Sequence, residues 1–130
     1  MKAAVRYYSR SGNTRLVAEA IAKAAGVEAV SVDAAEAALC EPAEVLFIGG
    51  AVYAYGIDRR LQDYLRALPQ GVARRAVVFS TSWVSRHAID LIKKALTQKG
   101  VAVADETFYV KNKPSAEQLR QAEDFARKFL

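Results

Sequence analysis

Five short apolar runs alternate with amphipathic segments along this chain of 130 residues. The runs cover residues 3–7, 27–32, 45–48, 76–79 and 101–110. The third and fourth are apolar at consecutive positions, which is typical of strands buried on both faces of a parallel sheet. The segments that follow the runs carry apolar residues at helical spacing. This alternation predicts an α/β fold in which a doubly wound, five-stranded parallel sheet has helices on both faces.

The predicted helices have recognisable ends. The candidate N-terminal caps are Asp33, Asp58 and Ser115. Glu36 and Gln118 lie three residues after two of these caps, which is the spacing of a capping box. Pro42 ends the short helix that would begin at Asp33, and Gly100 ends a helix over about residues 86–98. Together with the helix that follows the first strand, five helices are expected.

The segment between the first strand and the first helix has the composition of an anion cradle. A helix N-terminus presents amides without intrahelical partners and the positive end of the helix dipole, so a phosphate can be held largely by backbone. Hydroxyl and amide side chains add donors, and a glycine lets the main chain come close. An ordinary capped helix start is the alternative. The candidate residues are Ser9, Arg10, Ser11, Gly12, Asn13 and Thr14.

With hydroxyl residues at positions 9, 11 and 14 around Gly12 and Asn13, this segment resembles the phosphate loop of flavodoxins, which surrounds the phosphate of flavin mononucleotide (FMN). It lacks the Gly-x-Gly-x-x-Gly of dinucleotide-binding folds and the Gly-Lys-Ser/Thr ending of a P-loop. The resemblance covers essentially the whole chain, and outside this loop it rests on the order of the elements and the positions of the loops. It implies strand order 2-1-3-4-5 with FMN between the first and third strands, an arrangement known for flavodoxins rather than read from these residues.

Two further loops are expected at the same edge of the sheet, because ligands of open parallel sheets bind beyond the carboxyl ends of the strands. In flavodoxins the corresponding loops flank the flavin. Both contain aromatic residues that can stack on a flat ring, and either Tyr53 or Tyr55 can do so in the first loop. No residue is assigned a catalytic role. The candidate cofactor contacts are Ala51, Val52, Tyr53, Ala54, Tyr55 and Gly56 after the third strand and Ser80, Thr81, Ser82 and Trp83 after the fourth.

The charge balance distinguishes this chain from its apparent family. It has 19 basic and 14 acidic residues and a formal net charge of +5, whereas electron-carrying flavodoxins are typically acidic. A positive charge favours negative partners or surfaces. The basic residues are scattered as pairs rather than interleaved with aromatic residues, so no nucleic-acid partner is expected. The expected partner is a redox protein or a small-molecule electron acceptor.

Composition also limits the chemistry and the location. Cys40 is the only cysteine, so an internal disulfide and a paired-thiol redox motif are excluded. No stretch approaches membrane-spanning length, and the N-terminus has no long apolar region. We therefore expect a cytoplasmic protein whose residues 1–130 form a single flavodoxin-like domain, without a transmembrane segment.

Together these observations predict an FMN-binding protein that acts in electron transfer or as a small flavin oxidoreductase. Two alternatives stay open. One is a quinone-linked flavin dehydrogenase of the protoporphyrinogen oxidase type, since positive charge suits an anionic porphyrin or a membrane surface. The other is a flavin-free module that kept the fold for binding or regulation.

Overall fold

A computed structural model describes residues 2–53, 56–81 and 87–130. These residues contain seven strands, four α-helices and one 3₁₀ turn, Ala35–Ala37. Within them, no helix is long and apolar enough to span a bilayer. The elements in chain order are β1 (Ala3–Tyr7), α1 (Asn13–Ala25), β2 (Ala29–Ser31), β3 (Ala43–Tyr53), β4 (Gly56–Ile57), α2 (Arg59–Ala67), β5 (Ala73–Thr81), α3 (His87–Gln98), β6 (Ala102–Val103), β7 (Phe108–Val110) and α4 (Ala116–Arg127).

The main sheet is parallel with the order β2-β1-β3-β5-β6. The predicted fifth strand, residues 101–110, is present as two short pieces, because β6 pairs with the beginning of β5 and β7 pairs with its end. Asp105 and Glu106 lie exposed in the gap between the two pieces. The predicted flavodoxin-like order is confirmed, and β4 is an additional antiparallel strand on β3.

Strands β3 and β5 are longer than predicted. Their register runs from Ala43 opposite Ala73 to Ala51 opposite Thr81. The predicted ends of these strands, at residues 48 and 79, are therefore wrong, since Gly49 and Ser80 continue the strands. Glycine and serine resemble loop residues in sequence, but here the neighbouring strand supplies their backbone hydrogen bonds.

The two glycines of β3 are required by packing. A Cβ atom at Gly49 would overlap the carbonyl oxygen and the ring of Phe79. A Cβ atom at Gly50 would lie 2.5 Å from the Cδ2 atom of Leu61. Gly49 therefore allows the β5 backbone and a large aromatic ring to approach β3 closely, and Gly50 admits the first core residue of α2.

The helix predicted from Asp33 is wrong, because only a 3₁₀ turn forms there. The side chain of Asp33 accepts a hydrogen bond from the Ser31 hydroxyl, and the turn begins after Ala34 without a side-chain cap. The carbonyl oxygen of Ala37 accepts hydrogen bonds from the side chains of Arg6 and Tyr64. These tertiary contacts engage a carbonyl oxygen that a continuing helix would use. The described residues hence contain four α-helices rather than five.

Successive residues of β3 face opposite layers of the core. Leu46 and Ile48 belong to the cluster that includes residues of α2 and α3, whereas Val45 and Phe47 belong to the cluster with α1 and α4. Leu46, Phe47 and Ile48 are completely buried. Helices thus cover both faces of the sheet and leave its carboxyl edge for the loops that follow the strands.

Candidate functional site

The carboxyl ends of β1, β3 and β5 lie side by side. Tyr7 is opposite Gly49, and Gly49 is opposite Phe79. The backbone amide of Tyr8 continues the ladder by donating to the carbonyl oxygen of Gly49, at 3.2 Å. Because β2 lies on the other side of β1, the crevice between β1 and β3 is the switch point of the sheet, where ligands of such folds bind.

The loop from Ser9 to Gly12 is organised by its own hydrogen bonds. The backbone amide of Gly12 donates to the Ser9 hydroxyl oxygen at 2.9 Å, and the amide of Asn13 donates to the Ser11 hydroxyl oxygen at 3.5 Å. Gly12 has φ 94° and ψ −9°, a left-handed conformation that side-chain-bearing residues rarely adopt. This glycine turns the loop into α1.

The N-terminus of α1 differs from those of α2 and α4. Asp58 caps α2, and Ser115 forms the predicted capping box of α4. The N-cap residue of α1, Gly12, provides no side-chain cap, and the first turn contains no acidic residue. The bond from the Asn13 amide to Ser11 is long, at 3.5 Å. Among the described residues other than Gly12 and its two neighbours, no heavy atom lies within 4 Å of the position that a Cβ atom would take at Gly12. The weakly engaged amides, the dipole and the open approach at Gly12 all fit a phosphate monoester.

Three of the predicted contact residues use their hydroxyls inside the protein. The hydroxyls of Thr14 and Thr81 are hydrogen-bonded at 2.5 Å, and the Ser80 hydroxyl donates to the carbonyl oxygen of Gly50 at 2.8 Å. All three side chains belong to residues that are at most 3% exposed. The bonds join α1, β3 and β5 beneath the crevice. That these three residues also contact a cofactor stays a prediction.

The segment after β3 folds back on itself. Ala51, Val52 and Tyr53 are the last residues of β3, and Gly56 begins β4 opposite Tyr53. Ala54, Tyr55, Ser82 and Trp83 lie outside the described residues. The structure thus brings the backbone of β3 and β4 to the predicted edge, and the assignment of individual flavin contacts there stays a prediction.

Sequence reasoning missed a contact between Tyr8 and Arg60. The Nη1 atom of Arg60 donates to the Tyr8 hydroxyl oxygen at 2.8 Å, and the guanidinium carbon lies 5.3 Å from the centre of the Tyr8 ring. The pair connects the residue before Ser9 to the start of α2. Arg59 and Arg60 occupy a helix N-terminus, where the dipole disfavours positive charge. This unusual placement was the sequence signal that one of these arginines has a specific partner.

A second polar cluster lies under the 3₁₀ turn. Arg6 is only 6% exposed, and its guanidinium donates to the carbonyl oxygens of Ala37 at 2.9 Å and Val5 at 3.0 Å. The Tyr64 hydroxyl also donates to Ala37, at 2.6 Å. Burial raises the pKa of Tyr64, and the nearby charge of Arg6 partly opposes that rise. An apolar cleft of about 350 Å³ lies between residues 32–39 and the end of α2.

The described residues offer no metal centre. They contain no group of three or more His, Cys, Asp or Glu side chains that could hold a metal ion. Cys40 is a free, exposed thiol.

The parallel sheet, its switch-point crevice and the loop before α1 define a protein of the flavodoxin class. The family model for the flavodoxin domain matches residues 4–126, and the chain belongs to this family. A search of curated protein sequences gives no match.

Solved structures agree with this fold. A flavodoxin from the domain Archaea is 27% identical, with a TM-score of 0.80 and 99% of each chain covered. Flavodoxin 1 from Bacillus cereus is 22% identical, with a TM-score of 0.82, and the match covers 99% of this chain and 97% of that chain. Rubredoxin oxygen:oxidoreductase from Desulfovibrio gigas is 18% identical with a TM-score of 0.80, and the match covers 98% of this chain but 35% of that chain.

Proposed function

We propose that this protein binds FMN in the crevice between β1 and β3 and acts in electron transfer or as a small flavin oxidoreductase. The observation that carries the proposal is the N-terminus of α1, whose N-cap residue Gly12 has a left-handed conformation and provides no side-chain cap, in a chain of the flavodoxin domain family. An anion is the ligand that such a helix start favours.

The phosphate would be held by the amides of the first turn of α1, with donors from Ser9, Ser11 and Asn13. The Ser9 hydroxyl already accepts from Gly12, so its own proton points to another acceptor, which the phosphate oxygens provide. Thr14 would support the site from below through its bond to Thr81. These groups would hold the phosphate mainly with uncharged dipoles, since Arg10 is the only charged residue of the loop, and Arg10 would add a positive charge beside it.

The flavin ring would lie beside the segments that end β3 and β5, with Tyr53, Tyr55 or Trp83 as stacking partners. When bound, FMN supplies the exchange of one or two electrons. The chain contributes position and shields the ring from water. A redox protein or a small electron acceptor would receive the electrons, in the cytoplasm and without nucleic acid.

The direct experiment is to purify the protein and record its visible spectrum. We expect the two absorption bands of oxidised flavin, and mass spectrometry of the chromophore released by denaturation should identify FMN. A colourless protein that takes up no added FMN would refute the proposal and favour the flavin-free module. Oxidation of protoporphyrinogen coupled to quinone reduction would instead identify the dehydrogenase alternative.

A further inference from the structure

The carboxyl edge of the sheet carries an excess of positive charge. We count β6 and β7 as one interrupted strand, so Asp105 and Glu106, which lie in the interruption, are not included. Among the described residues within three positions after β1, β2, β4 and β7, five are basic and two are acidic, a net of +3. All five basic residues are exposed. The basic residues, which we call the basic rim, are Arg10, Arg59, Arg60, Lys111 and Lys113, and the acidic residues are Asp33 and Asp58.

The opposite edge of the sheet is balanced. The same count over the three residues before β1, β2, β3, β5 and β6 gives two basic and two acidic residues among those described. These are Lys2, Lys99, Glu28 and Glu41. By this count, the loops at the edge that holds the candidate site carry more positive charge than those at the opposite edge.

The two acidic residues at the basic rim are engaged locally. The Asp58 carboxylate accepts from the Arg60 amide at 2.8 Å as the cap of α2, lies 4.0 Å from the Arg60 Nη1 atom, and has a side chain only 13% exposed. Asp33 accepts from the Ser31 hydroxyl after β2. The Asp58 carboxylate therefore offers a partner little negative surface, whereas Asp33 is exposed.

Arg60 is held beside the crevice while it faces solvent. Its side chain is 60% exposed, and the bond to Tyr8 limits the positions of its guanidinium. On the other side of the crevice, Lys111 follows Val110, which is opposite Thr81 at the end of β5. The basic rim thus lies on both sides of the proposed flavin site.

Given the proposed function, we propose that the basic rim docks a redox protein with an acidic surface. Complementary charge raises the encounter rate and orients the partner over the crevice, where electron transfer would take place. An acidic protein suits the basic rim better than nucleic acid or an anionic membrane does. Those ligands call for a contiguous basic stripe or juxtamembrane cluster, whereas these five residues are spread over three loops.

The test uses the FMN-loaded protein, fully reduced and mixed with cytochrome b5, an acidic haem protein, or with cytochrome c, a basic one. Each reduced flavin gives one electron to each of two haem irons and releases its flavin protons to solvent. We expect the rate constant with cytochrome b5 to fall as salt is added and that with cytochrome c to rise. The reverse salt dependence would overturn the proposal.

A matched pair of variants separates local charge from net charge. Arg60→Glu and Lys2→Glu change the net charge equally, but Lys2 lies before β1, about 17 Å from the loop by the rise of a strand. We expect Arg60→Glu to lower the cytochrome b5 rate constant at low salt at least about threefold and Lys2→Glu to leave it nearly unchanged. Equal losses would contradict a local docking surface. Lys111→Glu repeats the test without touching Tyr8.

Binding of cytochrome b5 to the protein without FMN tests the docking proposal separately from the proposed function. If the protein binds no FMN, the proposed function fails, while surface plasmon resonance with cytochrome b5 still measures docking. We expect binding that Arg60→Glu weakens and Lys2→Glu does not. Tighter binding to phosphatidylserine vesicles or duplex DNA, lost in Arg60→Glu but not in Lys2→Glu, would overturn the assignment of an acidic protein as the partner.

Discussion

The hydroxyls of Thr14 and Thr81 lie 2.5 Å apart and join the first turn of α1 to the last residue of β5. Both residues are almost completely buried. The contact links α1, which follows β1, to β5, and β3 lies between these two strands in the sheet. It therefore fixes the position of the proposed phosphate loop relative to the strand that leads into the second flavin loop.

Replacing Thr81 by valine should lower the free energy of unfolding by about 1–3 kcal/mol, because the buried hydroxyl of Thr14 loses its partner. Valine keeps nearly the same shape, so packing is conserved. Urea unfolding measures the change. In the Thr14→Val/Thr81→Val double variant neither hydroxyl is left unpaired, and its loss should be smaller than the sum of the two single losses. Strict additivity would show that the hydroxyls are not coupled.

Gly12→Ala should lower both stability and FMN affinity. The left-handed turn costs a residue with a side chain about 1–2 kcal/mol, although there is open space for the methyl group. Gly26→Ala is the control, because Gly26 also has a positive φ, 71°, and open space, but it ends α1. Both variants should lose similar stability in urea, and only Gly12→Ala should weaken FMN binding. Equal FMN affinities of Gly12→Ala and the wild-type protein would show that Gly12 does not contribute to FMN binding.

Gly49→Ala should destabilise the protein more than Gly50→Ala does. At Gly49 the added methyl meets the backbone of Phe79, which cannot move without disturbing β5. At Gly50 it meets the end of the Leu61 side chain, which can adopt another rotamer. Thermal unfolding followed by circular dichroism should show the larger decrease in Tm for Gly49→Ala. Similar decreases would mean that β3 and β5 adjust as readily as a side chain.

Tyr64→Phe should lower the free energy of unfolding at neutral pH by about 0.5–1.5 kcal/mol, because the hydrogen bond to Ala37 is lost. Burial raises the pKa of Tyr64 above its ordinary value of 10.0. Above about pH 10 the unfolded chain loses the Tyr64 proton while the folded chain retains it. The free energy of unfolding therefore falls as pH rises. The Tyr64→Phe variant has no titrating group at this position, so its stability lacks this pH dependence.

The stability difference between the wild-type protein and Tyr64→Phe should consequently shrink as pH rises above about 10. Urea titrations at several alkaline pH values provide the test, with neutral pH as the reference. A difference that grows with pH would contradict the raised pKa.

The sequence was sufficient for the alternation of strands and helices, the helix caps at Asp58 and Ser115, and the position of the loop before α1, whereas the strand order was implied by the resemblance to flavodoxins. The first three features depend on local patterns of apolar spacing and on residue types at helix ends. The lengths of β3 and β5 were not predictable in the same way, because Gly49 and Ser80 are held in their strands by a neighbour distant in sequence.

The failed helix at Asp33 and the missed contact of Arg60 with Tyr8 have the same origin. In the first, a buried arginine from β1 and Tyr64 from α2 bond to a carbonyl oxygen of the turn. In the second, the partners are separated by 52 positions. Neither interaction leaves a periodic signal in the sequence, since each depends on how the elements pack.

Backbone amides at the start of α1 are proposed to hold the phosphate of FMN. Calorimetric titration of the cofactor-free protein with FMN and with riboflavin, which lacks the phosphate, isolates the contribution of this group to binding. We expect FMN to bind at least about 100-fold more tightly, a difference of roughly 2.7 kcal/mol. Equal affinities for the two flavins, or no heat with either, would contradict the claim.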